Sequence, residues 1–221
     1  KLRGIYLLDT LVIYGANIGK VYLQSYPSDI VGKAKAYAAA GSDARMNGCE
    51  MPVIINSGSG NQGITVSMPV LAYAKEYNIE EDRIYRALVV SNLIAIHQKT
   101  SIGRLSAYCG AISAGCAAAC GIAFLLGEDL ETVSKTLTNS LAITSGVICD
   151  GAKASCAAKI AMAVESGIIG YNMCKNRKNF CDGDGIIGLG VENTIKNVGR
   201  LASQGMRQTD DVIIKIMTEE N

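Results

Sequence analysis

The sequence predicts a mainly α protein, a single compact helical domain with Gly-rich loops and at most a short strand or two. Three observations carry that prediction. Apolar residues recur at helical spacing, period-two alternation is scarce, and only three prolines interrupt 221 residues. The composition agrees: 49% of the chain is hydrophobic and 19% is charged, against roughly 25% charged in an average soluble domain. Such a chain has much interior and little bare surface, which points to an oligomer or to a piece of something larger.

The elements follow in order. Residues 51–55 are the best strand candidate, bounded by Pro52 and a glycine loop. Residues 82–96 are periodic, with Ile84 and Leu88 on one side and Val89, Leu93 and Ile96 on another; a helix apolar on two faces is expected to be buried. Residues 106–126 carry no charged side chain, and their length suits a membrane span. Their content does not. Ser106, Gly110, Ser113, Gly115 and Gly121 make a small-residue helix suited to close backbone contact inside a protein, where hydropathy of a span would need Leu, Ile and Phe. Val133, Leu137 and Leu141 step by four behind a start marked by Gly127-Glu128-Asp129. Near the end, Thr209 is a plausible N-cap, with Asp210 and Asp211 in the first turn and Ile213, Ile214 and Met217 behind. Two Gly-rich breaks, 56–63 and 181–190, are too short for domain linkers, so residues 1–221 read as one unit. The chain opens at Lys1 without an initiator Met or a charged-then-apolar leader, and reads as the C-terminal part of a longer protein.

The formal net charge is +1 and no block of Lys or Arg stands out. Nucleic acid and anionic membranes are therefore poor partners, since both demand clustered positive charge. Eight cysteines in Ala-rich helices do not suit a disulfide scaffold, which is normally short, secreted and loop-rich. Reduced thiols in a cytoplasmic setting are expected, several of them as small core residues.

The sharpest motif is Cys149-Asp150-Gly151-Ala152-Lys153-Ala154-Ser155-Cys156, two cysteines around a short turn that could wrap a metal centre. The spacing belongs neither to zinc fingers nor to ferredoxin-type runs, and by itself it leaves two buried thiols equally open. Cys109, followed by Gly110, supplies a third cysteine at the front of the small-residue helix. Cys116 and Cys120 lie four apart among alanines, and helix packing accounts for them more economically than metal does. In Asn56-Ser57-Gly58-Ser59-Gly60-Asn61-Gln62-Gly63, alternating Gly and Ser lets successive N–H groups turn toward one point, the geometry of an anion nest before a helix. It is neither a Walker A nor a Rossmann sequence, and a plain turn remains open on composition.

These residues carry a resemblance. Ala40-Gly41-Ser42-Asp43-Ala44-Arg45-Met46-Asn47-Gly48, then the 57–63 loop, then Cys149-Asp150-Gly151-Ala152-Lys153 with Cys156, in that order, resemble the iron–sulfur L-serine dehydratase alpha chain and L-cysteine desulfidase family. The likeness runs from about Ala38 to the C-terminus and is nearest the single-chain desulfidase-like branch. In the dehydratase branch the cysteine loop opens Cys-Asp-Pro and is longer, whereas here it opens Cys-Asp-Gly. The resemblance implies a [4Fe–4S] cluster held by Cys109, Cys149 and Cys156, with one iron left open to act as a Lewis acid on the β-group of a small amino acid. It implies that Ser57, Gly58, Ser59, Gly60 and Asn61 hold the substrate carboxylate, and that elimination yields pyruvate and ammonia, with sulfide from cysteine.

The resemblance does not assign the catalytic base, because relatives of the desulfidase type use a cysteine near an N-terminus that this chain does not contain. His97, the only histidine, is more simply a structural residue. Lys153 and Lys159 flank Cys156; the reading preferred for Lys159 is a solvated surface lysine. Cys49, Cys174 and Cys181 have no partner spacing, and Cys181-Asp182-Gly183-Asp184-Gly185 is half a calcium loop without its closing Glu. Residues 190–193 read as a helix start. The expected partners are a small amino acid and either further copies of the chain or a missing N-terminal portion of the same protein. The competing readings are a non-catalytic helical module with buried or zinc-bound cysteines, and a carboxylate binder without catalysis. If the cluster reading holds, Cys109, Cys149 and Cys156 should converge near the 57–63 loop.

Overall fold

The computed structural model describes residues 15–103 and 106–219; the opening at Lys1 lies outside the described residues. The helices are α1 (Ile18–Ser25), α2 (Ile30–Met46), α3 (Gly60–Glu76), α4 (Glu81–Ile102), α5 (Gly110–Leu125), α6 (Leu130–Thr144), α7 (Cys156–Lys175), α8 (Gly190–Arg200) and α9 (Arg207–Thr218). A π-helical turn, Leu201–Gly205, joins the last two. Among the described residues, β pairing is confined to two isolated bridges, Asn56 with Ser59 and Tyr108 with Ile148. The protein is mainly α, as the periodicity predicts. Residues 51–55 do not form the expected strand. They belong to no ladder, and Ile54 and Ile55 are exposed, because β-prone residues make a strand only where a second edge is there to pair with them.

α5 is the axis of the bundle, packed by α3, α4, α6 and α7. All its residues from 111 to 123 are buried. Its small side chains are what the packing requires. A Cβ on Gly115 would stand 2.6 Å from the carbonyl carbon of Ala163, and one on Gly167 of α7 would stand 2.7 Å from the Gly115 carbonyl oxygen. The two backbones touch through this pair of glycines. The uncharged 106–126 stretch is thus an interior helix, beginning at Gly110 and later than its composition suggested, and no helix among the described residues is long and apolar enough to cross a membrane.

α4 corrects the expectation of a helix buried on both faces. Its inner stripe is Ile84, Ala87, Ser91, Ala95, Gln98 and Ile102, all buried. Val89, Leu93 and Ile96 are 55%, 59% and 44% exposed. α5 comes so close, with a Cβ on Gly121 reaching within 2.7 Å of Ser91 Cβ, that only small residues fit between them. The large apolar ones are left on the outside.

α6 starts as predicted, with Asp129 accepting from the Thr132 N–H at 2.8 Å and Val133, Leu137 and Leu141 buried. α8 starts at Gly190, also as predicted. α9 does not start at Thr209. The chain arrives already helical from the π turn, so α9 begins at Arg207 and Thr209 falls inside it; Ile213 packs against the core while Ile214 and Met217 remain exposed.

Candidate functional site

The cysteine motif is built on one bridge. Tyr108 and Ile148 pair antiparallel, with Cys109 N–H donating to the Val147 carbonyl at 3.1 Å and Cys149 N–H to the Ala107 carbonyl at 2.6 Å. Side chains alternate along extended backbone, so Cys109 and Cys149, each one residue past the bridge, leave it on the same face as diagonal neighbours. Each sulfur shifts the titration of the other. Cys109 is also the N-cap residue of α5 and is 5% exposed.

The pair shares a proton unequally. Cys149 is held below the ordinary thiol value, at about 6, first by the hydrogen bond from Cys109 and then by the Gly151 N–H and the Lys159 charge, which outweigh its partial burial. Cys109 is pushed up by the same hydrogen bond and by its own burial.

Cys156 is the first residue of α7, and the loop to it turns on Gly151, whose φ of 95° is a glycine conformation. Its sulfur accepts from the Lys153 N–H at 3.5 Å and stands 3.6 Å from the Gly151 carbonyl oxygen. Lys153 itself is exposed. Lys159 is not the solvated surface lysine expected of it. One turn after Cys156 on the same helix face, it donates to the Ile148 carbonyl at 3.2 Å and to the Asp150 carboxylate, and lies within charge range of Cys109 and Cys156. It ties the cysteine loop to α7.

Lys99 was not singled out by sequence reasoning. It lies in the last turn of α4, 7% exposed, within charge range of Cys149 and Cys109. Burial pulls its ammonium below the ordinary lysine value. The available signal was its phase, since it adjoins the buried stripe that passes through Ala95, Gln98 and Ile102. Among the described residues no three His, Cys, Asp or Glu side chains stand close enough to hold a single metal ion.

The glycine–serine loop forms a tight turn. Asn56 and Ser59 exchange both backbone hydrogen bonds, at 3.2 and 3.0 Å, while Ser57 and Gly58 have φ of 49° and 86°. Positive φ at both central residues is the type I′ geometry. The Asn56 side chain anchors the turn to α4 through the carbonyl and side-chain oxygens of Asn92, and Ser57 Oγ donates to Asn56 Oδ1. Ser59 is the N-cap of α3 and makes no side-chain cap bond, so the first N–H groups of the helix, at Gly60, Asn61 and Gln62, lack intrahelical acceptors.

The 40–48 motif braces this loop. Arg45 Nη1 donates to Asn61 Oδ1 at 3.1 Å, and Asp43 accepts from the Ile18 N–H at 2.9 Å to fix α1. The Asn61 side chain is therefore committed to Arg45 and Met46, and backbone N–H groups are what this position offers an anion. A mainly apolar cavity of about 250 Å³ opens beside the loop, between Arg45, Cys49, Val53, Ile54, Met68 and Leu71.

Gln62 joins the two motifs. Its side chain is 6% exposed, its Oε1 has no partner among the described residues, and its amide lies where a Cβ on Gly110 would stand 2.5 Å from Nε2. The start of α3 thus abuts the start of α5, next to Cys109.

The remaining candidates lie elsewhere. His97 is on the outer side of α4, paired with Glu192 at 2.9 Å, both exposed. Cys116 and Cys120 are fully buried, with Cys116 beside the Thr144 hydroxyl at 3.5 Å and Cys120 3.6 Å from the Val133 carbonyl oxygen, as packing predicts. In the 181–185 loop, Asp184 accepts from the Cys181 N–H and Asp182 from the Gly190 N–H, so both carboxylates serve the turn. All eight cysteines are free of disulfides.

The serine dehydratase alpha chain family matches residues 7–215, starting upstream of the Ala38 at which the sequence motifs suggested the likeness begins. UPF0597 proteins are similar over nearly the whole chain. One from Desulfitobacterium hafniense is 58% identical over 94% of this chain and 48% of its own length. Others from Lachnoclostridium phytofermentans and Finegoldia magna are 55% and 51% identical over 92% and 94% of this chain and 49% of their own length. The chain spans about half the length of the curated relatives it matches. No solved structure matches it.

Proposed function

Because the chain belongs to the serine dehydratase alpha chain family, we propose that it forms the cluster-bearing part of a cytoplasmic iron–sulfur lyase that eliminates the β-substituent of L-serine or L-cysteine. The Cys-Asp-Gly opening of the short cysteine loop favours the desulfidase branch and cysteine as substrate. The observation that supports the reading best is the Tyr108–Ile148 bridge, which sets Cys109 and Cys149 side by side.

Two of the three residues, Cys109 and Cys149, stand together as the proposed group asks, while Cys156 faces its own loop and is not gathered with them into a single-ion site. Cysteine thiolates are the ordinary ligands of iron–sulfur clusters, and here Cys149 is already biased to the thiolate, with Lys99 and Lys159 within charge range of the group. A four-iron cluster takes its sulfurs on different irons, so it asks for ligands more widely spread than one ion does. A closed zinc site needs four ligands on a single ion, and no such grouping lies among the described residues.

In this reading Cys109, Cys149 and Cys156 hold the [4Fe–4S] cluster, whose open iron supplies Lewis acidity toward the departing thiol or hydroxyl. The chain's own residues do the rest. The N–H groups at Gly60 and Asn61, with Ser57, Gly58 and Ser59 shaping the turn, receive the substrate carboxylate at the positive end of α3. Gln62 spans from that helix to Gly110, so a substrate held there presents its β-carbon toward the cysteines. Fixing both ends aligns the Cα–H and Cβ bonds for elimination.

Anaerobic reconstitution with iron and sulfide is the test. The expected outcome is a brown protein with about four irons, as a [4Fe–4S] group requires, and pyruvate formation from cysteine or serine by the full-length protein. A protein that stays colourless and iron-free after reconstitution would overturn the proposal.

A further inference from the structure

Resting on that reading, we infer that Lys99 supplies the fixed counter-charge of the cluster and sets how readily the cluster accepts an electron. The two lysines have different circumstances. Lys159 spends its charge locally, on the Asp150 carboxylate and the Ile148 carbonyl, and is largely a tie within the cysteine loop. Lys99 has no ion pair and no side-chain hydrogen bond among the described residues. It is nevertheless more than nine-tenths buried.

An unpaired ammonium in that position is costly unless something negative stands nearby. The negative group within its range is the Cys149 thiolate, with the Cys109 sulfur beside it. Its place is fixed by the packing of α4 on α5. The neighbouring Gln98 donates to the Ser113 carbonyl on the first turn of α5, and Cys109 is the residue that caps that same helix. Lys99 and Cys109 are therefore carried by two helices locked together at this end.

The consequence is electrostatic. Three thiolates make a cluster anionic, and adding an electron makes it more so. A buried cation beside it stabilises the reduced form more than the oxidised one, since cluster potential follows local charge and solvent exposure. Lys159, neutralised by Asp150, contributes less. Arginine retains the charge where methionine keeps only the length of the side chain.

The test compares wild type with Lys99→Met, Lys99→Gln and Lys99→Arg, each reconstituted anaerobically in the full-length protein and titrated with a mediated reductant while the visible absorption is followed. Lys99→Met and Lys99→Gln should bind iron and sulfide in the wild-type ratio and shift the oxidised-to-reduced equilibrium about tenfold toward oxidised, about 59 mV more negative for a one-electron couple. Lys99→Arg should restore most of the shift. Unchanged potentials in iron-replete, helical Lys99→Met and Lys99→Gln proteins would overturn this inference alone, whereas a wild type that takes up no iron would overturn the functional reading beneath it. Should methionine disturb folding, the smaller polar glutamine and the charge-retaining arginine still decide the matter, and loss of the arginine rescue counts against the inference.

Discussion

Cys116 and Cys109 lie seven residues apart at one helix, and they occupy different chemical worlds. Cys116 is in the middle of α5, fully buried, its thiol pushed up to about 12 by that burial. Cys109 is at the helix cap, set beside Cys149 by the Tyr108–Ile148 bridge, and Cys149 is itself held at about 6. The residue type is the same; what differs is access to a helix start, an extended bridge and two lysines. A cysteine inside a helix is a small apolar residue, and a cysteine at a helix start is a candidate ligand.

The largest expected effect breaks this contrast directly. Cys149→Ser should abolish retention of iron and sulfide, by more than the roughly 10–100-fold cost of disturbing an outer-shell partner of a metal site, while leaving the helical circular dichroism intact. Cys116→Ser should retain the full iron complement. Equal loss from both variants would mean that the two cysteines differ in burial and not in role.

The next effect concerns the glycine contact that lets α5 be the axis. Gly115→Val drives a branched side chain into the Ala163 backbone. Overpacking of this kind costs about 1–3 kcal/mol or more, which for a chain of this size lowers Tm by about 2–4 °C for each kcal/mol. Thermal denaturation followed by circular dichroism reads it directly. The same substitution at Gly58, where no atom lies within 4 Å, should act through its positive φ alone.

Thiol reactivity sharpens the contrast without metal. A thiol lowered to about 6 is mostly thiolate at neutral pH, and one raised to about 12 is almost wholly protonated there. In the metal-free native protein, iodoacetamide at pH 7 should label Cys149 rapidly and leave Cys116 untouched. Labelling of Cys149 should fall as pH drops through about 6, and mass mapping of the labelled peptides is the readout. Prior labelling of Cys116 would show that α5 opens more readily than its packing implies.

Much of this was legible in the sequence, and what escaped did so for physical reasons. The helical class, the α6 and α8 starts and the packing role of Cys116 and Cys120 follow from local pattern, and local pattern survives folding. The Cys109–Cys149 pairing was reached through resemblance, because it depends on a two-residue bridge between segments 40 residues apart, which leaves no periodic trace. Lys159 was misjudged because a lysine in a helix is usually solvated, and only the folded loop reveals its acceptors. Lys99 was missed because the apolar count of α4 drew attention to Val89, Leu93 and Ile96, on the face that turns outward.

The two faces of α4 differ in a way that substitution can read. If large apolar residues on α4 are outside because α5 admits only small ones, the two faces should respond oppositely to substitution. Leu93→Gln, on a side chain already 59% exposed, should change stability by no more than about 0.5 kcal/mol, as surface changes do. Ala95→Leu, on a fully buried position of the inner stripe, should cost about 1–3 kcal/mol by overpacking. Urea denaturation of the two variants side by side decides it. A costly Leu93→Gln would mean that the outer face is covered in solution, and the helix would then be buried on both sides as its sequence first suggests.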